Sequence, residues 1–493
     1  MKKTFLSRLI VPCLLVSVAS GCSAFSSSAL SGAPAGDFGA TPGGVKDLSS
    51  ARALVDNGQV PPASALLTEA AFAEHDLPLG GAPCSSILCV RSAVGIAPDL
   101  DAKQSGWLQV GMSSNINPAT YKRPTLHAIF TVDVSGSMGW NSAHSDNPDY
   151  ATAGRLAYLL SRKIASQLTP GDSVSLVTYG SNVSTVFESI AGDDPLIFSS
   201  IEKLTTAGST NMEAGLRRAY EIANRRKGVA VESRVFLFSD EQPNVGATTA
   251  TEFQKILQSG ASEGIGITLF GLGLGHSNEL TQQLSHLRGA NAFGLAKTSD
   301  VDALIEDSWP WMASPIAYDL KLNVQPTMGF SVTQNYGFPG DPQSGSVLDV
   351  STVFLSKRKG ALLMQLAGNG TTWNGAGAST KLSYVTPSGQ PVMETFSSTY
   401  TGNPLDARNM YFEQPAVGKT VALALLMSGM KDAAVLYATD KSAAIAKMEK
   451  VVSRISDDAK AFADSSFDRD VKLASDILAL MKKGAPQGDL YGR

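Results

Sequence analysis

At 493 residues the chain is longer than one hydrophobic core usually organises, which favours two or three domains. Charged residues at 17% and hydrophobic ones at 43% exclude a disordered chain, because there is ample apolar material to bury. A net charge of −4, with Lys and Arg scattered and no block of like charge, excludes a general attraction to nucleic acid.

Residues 1–22 follow an export-signal pattern: Lys2, Lys3 and Arg8 precede an apolar run from Leu9 to Val18 that is too short to span a membrane permanently. Val18-Ala19-Ser20-Gly21-Cys22 resembles a bacterial lipobox, although Ala19 stands where Leu is commonest. The resemblance implies cleavage before Cys22 and lipidation of its thiol; the alternative is an ordinary signal peptide cut near Ala24. The next stretch, rich in Ser, Gly, Ala and Pro, reads as a flexible tether over 23–46. Ser23 after the cysteine, by resemblance to known lipoproteins, favours the outer membrane. The expected location is therefore the cell envelope, lipid-anchored, on a periplasmic or surface face.

Region 47–126 opens with loosely helical spacing (Leu48, Ala51, Leu54, Val55; Leu66, Leu67, Ala70, Phe72) broken by Pro61-Pro62. Cys84 and Cys89 close most simply as a local disulfide in an oxidising compartment, two free thiols being the alternative. With no histidine nearby, the pair cannot fill a tetrahedral zinc site. Trp107, Gln109 and Gly111 alternate with Leu108, Val110 and Met112, which predicts a strand.

Region 127–312 alternates apolar strands (Ala128–Val134, Ser173–Tyr179, Val183–Ser189, Arg234–Ser239, Gly266–Leu272, Ala292–Ala296) with amphipathic helices (Ala151–Gln167, Asn211–Arg225, Thr249–Gly260, Ser277–Leu287, Ser299–Trp309). Continuous apolar strands separated by helices predict an α/β domain with a doubly wound, mostly parallel sheet covered on both faces. The turn Gly180-Ser181-Asn182 predicts one antiparallel edge hairpin. Region 313–416 carries short strands (Ala317–Val324, Phe330–Val332, Val347–Leu355, Gly360–Leu366, Lys381–Val385) between Gly, Pro and Asn turns, a β-sandwich pattern. The Trp107–Ser113 strand is a candidate to join it, which makes the α/β domain an insertion. Region 417–493 reads as two or three helices, with Ile445, Met448, Val452 and Ile455 at helical spacing.

Three clusters fall at strand ends in the α/β region: Asp133-Val134-Ser135-Gly136-Ser137, Gly208-Ser209-Thr210-Asn211, and Ser239-Asp240-Glu241-Gln242-Pro243-Asn244. In open doubly wound sheets, ligands bind at those carboxyl ends. Two carboxylates and three hydroxyls form an oxygen-only set suited to a hard ion such as Mg²⁺. The pattern resembles the metal-ion-dependent adhesion site of von Willebrand factor type A domains, over roughly His127–Trp311. The resemblance implies that Ser135 and Ser137 bind Mg²⁺ (or Mn²⁺ or Ca²⁺) directly. Thr210 would do so when ligand is bound, and Asp133 and Asp240 would act mostly through water. One coordination position stays open for an acidic residue of a partner. Glu241 stands where the family commonly has Gly; it either adds a carboxylate near the metal or points to solvent. Trp140 either lies exposed beside the site or packs under the Asn141–Asp149 loop.

Enzyme readings fare poorly. The five histidines (His75, His127, His144, His276, His286) form no zincin spacing, no P-loop is present, and Gly271-Leu272-Gly273-Leu274-Gly275 lacks the dinucleotide spacing. The sequence therefore points to a non-enzymatic, metal-dependent binding protein that recognises an envelope or extracellular protein through an acidic residue. The alternative is a scaffold or assembly factor that docks a partner at the same site.

Overall fold

The computed structural model describes residues 38–488, apart from 84, 118, 141–147, 227–230, 274–279, 281–283, 285, 310, 339–346 and 371. Cys22, Cys84 and most of the expected 277–287 helix therefore lie outside the described residues. In chain order the described elements begin with β1 (Gly39–Pro42), β2 (Gly44–Val45), α1 (Ser49–Asp56), α2 (Thr68–Ala73), β3 (Cys89–Pro98) and β4 (Gln104–Ser113). The α/β unit follows: β5 (Thr125–Asp133), α3 (Ala153–Ala165), β6 (Ser173–Tyr179), β7 (Val183–Ala191), α4 (Leu196–Ile201), α5 (Met212–Asn224), β8 (Val231–Ser239), α6 (Ala250–Ser262), β9 (Gly266–Leu272), β10 (Ala290–Leu295) and α7 (Thr298–Ser308). Last come β11 (Pro315–Pro326), β12 (Phe330–Tyr336), β13 (Val347–Ser356), β14 (Gly360–Gly368), β15 (Gly377–Val385), β16 (Pro391–Thr399), β17 (Tyr411–Phe412), α8 (Pro415–Tyr437), α9 (Lys441–Phe462) and α10 (Asp468–Lys482).

The α/β unit is built on a seven-stranded sheet in the order β2-β10-β9-β8-β5-β6-β7. Its pairs are parallel except β6–β7, the expected edge hairpin. Strand residues alternate between two cores. Phe130, Val132, Phe236 and Phe238 pack with Leu156, Leu160 and Ile164 of α3. Ile129, Val235 and Leu237 pack with Leu216 and Ala219 of α5 and Phe253 and Leu257 of α6. Each such buried Val, Ile, Leu or Phe side chain stabilises by about 1.5–3 kcal/mol, and burial on both faces is why these strands read as unbroken apolar runs.

The remaining strands form one ten-stranded sheet along β12-β14-β4-β1-β13-β11-β15-β16, with β3 on β4 and β17 on β3. It doubles over on itself. Val94 and Ile96 of β3, Leu108 and Val110 of β4, Leu320 and Leu322 of β11, and Leu382 and Tyr384 of β15 share one core between the two layers. The predicted sandwich is thus a folded single sheet, continuous because β1 pairs with β13 over four residues and with β4 at Gly39↔Ser113. β4 pairs with β14 from Gly360↔Met112 to Leu366↔Gly106, so the α/β unit lies in sequence between two strands of this sheet.

The opposite face of β4 is covered by the C-terminal helices. Trp107 and Gln109 are fully buried there; Gln109 donates to Leu77 O (3.0 Å) and accepts from Thr420 Oγ1 of α8 (3.1 Å). α8 is long and apolar enough to cross a membrane, yet 72% of its apolar window is buried by the rest of the chain, which is what a core helix requires. α1 and α2 pack on these helices; Arg52 of α1 donates to both oxygens of Glu74 after α2 (2.7 and 2.6 Å) and also pairs with Asp470 of α10 (3.9 Å). His75 sits buried between Asp470 (2.8 Å) and Ser466 (3.2 Å), against the Phe467 ring.

One correction concerns the tether expected over 23–46. Residues 39–42 and 44–45 are buried strands, with Ala40 fully enclosed. Gly39 and Gly43 fit there because their small size lets neighbouring backbones close in: a Cβ on Gly39 would meet Arg358 O at 1.8 Å. β1 belongs to the folded sheet and β2 to the α/β sheet, so six residues stitch the two together. Beside the seam, Gly43 N donates to Thr352 O (2.7 Å) and Gly289 N to Thr352 Oγ1 (2.7 Å). The buried Arg234 guanidinium bonds Gly289 O (3.0 Å) and faces the Phe354 ring at 5.4 Å.

Candidate functional site

The site forms where β5 and β8 end. β5 stops at Asp133, whose backbone turns under its own side chain: Oδ1 accepts from Ser135 N (2.8 Å), the local bond that Asp favours in turns. Ser135 opens a short 3₁₀ turn, Gly136–Gly139, and its Oγ lies 3.1 Å from Ser137 Oγ. Asp133 Oδ2 accepts from Ser239 Oγ at the end of β8 (3.0 Å), which locks the first loop to the third.

The second loop is held by backbone bonds: Ala207 N to Val134 O (2.8 Å) and Gly136 N to Gly208 O (2.9 Å). Gly208 needs to be glycine twice over, since its φ is +83° and a Cβ would lie 2.3 Å from Ser181 Oγ. Thr210 is buried and clamped to the third loop. Its N–H donates to Asn244 Oδ1 (2.9 Å), and its carbonyl accepts from Asn244 N (3.1 Å) and Val245 N (3.2 Å). Asn211 then caps α5 by accepting from Ala214 N.

On the third loop Asp240 is buried and accepts a hydrogen bond from Ser137, while its Oδ1 has no partner. Asp133, Ser135, Ser137 and Asp240 thus form one connected set, and Thr210 stands on a loop bound to both of theirs. Burial and the nearby charge of Asp240 push the Asp133 carboxyl up to about 6, against the bonds from Ser135 and Ser239 that lower it. Burial raises Asp240 as well. Neither carboxylate is ion-paired among the described residues, so two adjacent buried acids lack a compensating cation.

Of the flanking residues, Glu241 resolves an open alternative. Glu241 is buried and does not point to solvent; its backbone is left-handed (φ 57°), which explains why glycine suits this position, and its N–H donates to Ser239 Oγ (2.9 Å). Trp140 is 71% exposed; its expected packing under the following loop falls on 141–147, which lie outside the described residues. Ser239 and Asn244 are supporting residues to which sequence reasoning assigned no role, and the buried Tyr179 accepts at its carbonyl from Val134 N (2.8 Å). Cys89 begins β3, and the expected pairing with Cys84 falls outside the described residues.

The family model of the von Willebrand factor type A domain matches residues 128–242, the stretch holding all five candidate positions. The chain therefore carries a domain of this type, a class that typically mediates protein–protein interaction. The uncharacterized protein YfbK of Escherichia coli is 25% identical over 206 residues, 41% of this chain and 34% of that one. Inter-alpha-trypsin inhibitor heavy chain H1 of Mesocricetus auratus is 24% identical over 229 residues, 44% and 24% of the two chains. The chain thus spans about a third or less of these relatives' length. Among solved structures, a von Willebrand factor type A protein from Catenulispora acidiphila aligns with a TM-score of 0.49 at 10% identity, over 78% of this chain and 89% of that one.

Proposed function

We propose that the chain is a metal-dependent protein-binding module of the cell envelope, anchored by lipid on Cys22, in which Asp133, Ser135, Ser137, Thr210 and Asp240 hold Mg²⁺ and a partner's acidic side chain completes the site. The supporting observation is the pair of buried, uncompensated carboxylates, one with an orphaned oxygen, beside the hydroxyls of Ser135 and Ser137. Among the described residues no group of three His, Cys, Asp or Glu is placed to hold a metal, which leaves this hydroxyl-rich set and its preference for hard cations. When bound, the ion supplies positive charge and an open position for a carboxylate. The protein's part is to hold the oxygens: Ser239 orients Asp133, Ser137 orients Asp240, and Asn244 orients Thr210.

The test is calorimetric titration with Mg²⁺ and Mn²⁺. One site is expected in the wild type and none in Asp133→Ala, because the lost carboxylate helped offset the ion's dehydration; unchanged binding by the variant would refute the assignment. Anchoring is tested separately. Labelled fatty acid is expected in the wild type and absent from Cys22→Ser, and lack of label in the wild type returns the reading to an ordinary signal peptide.

A further inference from the structure

The site's surroundings narrow the partner further. Two of the large apolar side chains exposed on the described surface stand on the site's own loops: Trp140, 71% exposed, on the first, and Val245, 40% exposed, on the third. Each is fixed by its own backbone N–H to the carbonyl of a candidate metal-binding residue, Trp140 to Ser137 (2.9 Å) and Val245 to Thr210 (3.2 Å). The other tryptophans are at most partly exposed, with Trp107 and Trp309 buried in cores and Trp311 and Trp373 packed against Phe38 and Phe330. Leaving a tryptophan in water beside a charged site forfeits burial that a partner can supply.

From this arrangement, and resting on the proposed metal site, we infer that the partner is a protein segment whose acidic residue is flanked by apolar side chains. The acid goes to the metal position and the apolar neighbours cover Trp140 and Val245. The metal then supplies charge recognition, while the two apolar side chains select among acidic segments and exclude water from the contact.

The experiment immobilises the purified full chain and challenges it with a library of random heptapeptides with a central Asp, and a matched library with a central Asn, in Mg²⁺ and in chelator. Retained peptides are expected to carry the central Asp, to require Mg²⁺, and to be enriched in Phe, Tyr, Trp, Leu or Ile within two residues of it. Trp140→Ala is expected to weaken the best peptides about tenfold and to remove the aromatic preference, with Mg²⁺ binding unchanged and Trp140→Phe retaining most of it. Val245→Ser should relax the preference on one side only. Mg²⁺-dependent retention of Asp peptides without any apolar preference, or a preference untouched by both substitutions, overturns the inference while sparing the metal site. Absence of any chelator-sensitive retention overturns both. Thermal melts of the variants confirm folding, which two exposed positions leave intact.

Discussion

At the residue scale, the short motif beginning at Asp133 is legible because its chemistry is local: Asp133 bonds the amide two residues on, and Ser135 and Ser137 come within 3.1 Å by the same turn. Glu241 shows what sequence can pose but not resolve, since its burial depends on β8 ending beside β5. A non-glycine residue in the left-handed region costs about 1–2 kcal/mol, and glycine returns roughly 0.5–1 kcal/mol of that as chain entropy. Glu241→Gly is therefore expected to stabilise the metal-free chain by about 0.5–1 kcal/mol in urea melts with chelator; a destabilised variant would mean that the buried side chain outweighs its backbone strain. Asn244 is the converse case, a residue of no obvious signal whose side chain and backbone clamp Thr210. Asn244→Ala should cost about 1 kcal/mol by leaving the Thr210 amide without its acceptor. An unchanged urea midpoint would show that water replaces it.

Among the elements, those buried on both faces were the readable ones. β5, β8 and β9 are apolar runs long enough to stand out. α6 is held at its start by Thr249 and Glu252, a reciprocal capping box whose loss in Thr249→Ala should cost about 1 kcal/mol in urea melts. β16 is illegible in the sequence because its residues alternate between partial and full exposure, so no apolar face marks it, and among the described strands it pairs only with the edge of β15. The short strands β1 and β2 were hidden by composition: glycine and proline suggest a linker, whereas here glycine admits close backbone approach.

Just before β6, Asp172 joins two elements and gives a pH test. Burial raises its carboxyl, but the Arg123 guanidinium and the amides of Leu126 and Thr169 outweigh that and hold it at about 2. Because the folded value lies below the unfolded one of 3.8, this contribution is present above pH 4 and is lost as pH falls from about 4 to 2. Its size is roughly 2 kcal/mol. Asp172→Asn should lose about that much at pH 7 and show a flatter acid limb in denaturation curves; an unaltered acid limb would remove Asp172 from the account.

For the whole molecule, the strand-helix alternation, the late β region and the helical end were visible as changes of texture, and the insertion of one within another was suggested by the strand at Trp107. What no local pattern disclosed is that a stretch classed as tether passes through both sheets. Ala40, fully buried in β1, is accordingly expected to be intolerant of charge. Ala40→Asp should cost several kcal/mol, since an unpaired carboxylate would have no partner in that core. The loss should appear in the α/β unit too, as lower protection of β10 amides in hydrogen exchange, and a loss confined to the folded sheet would show that the two units unfold independently.

The same stitch has a mechanical meaning. Tension on the chain ahead of Phe38 meets β1 first and β2 one glycine later, so the seam between the two sheets bears the load before any other described element. Its grip on the α/β sheet is at the start of β10, Asn291↔Gly44 and Ala292↔Val45, whereas the loops carrying Asp133 and Asp240 leave the far ends of β5 and β8. Force arriving from the N-terminus and force arriving from a held partner would therefore act on opposite ends of one sheet, placing its parallel strands in shear.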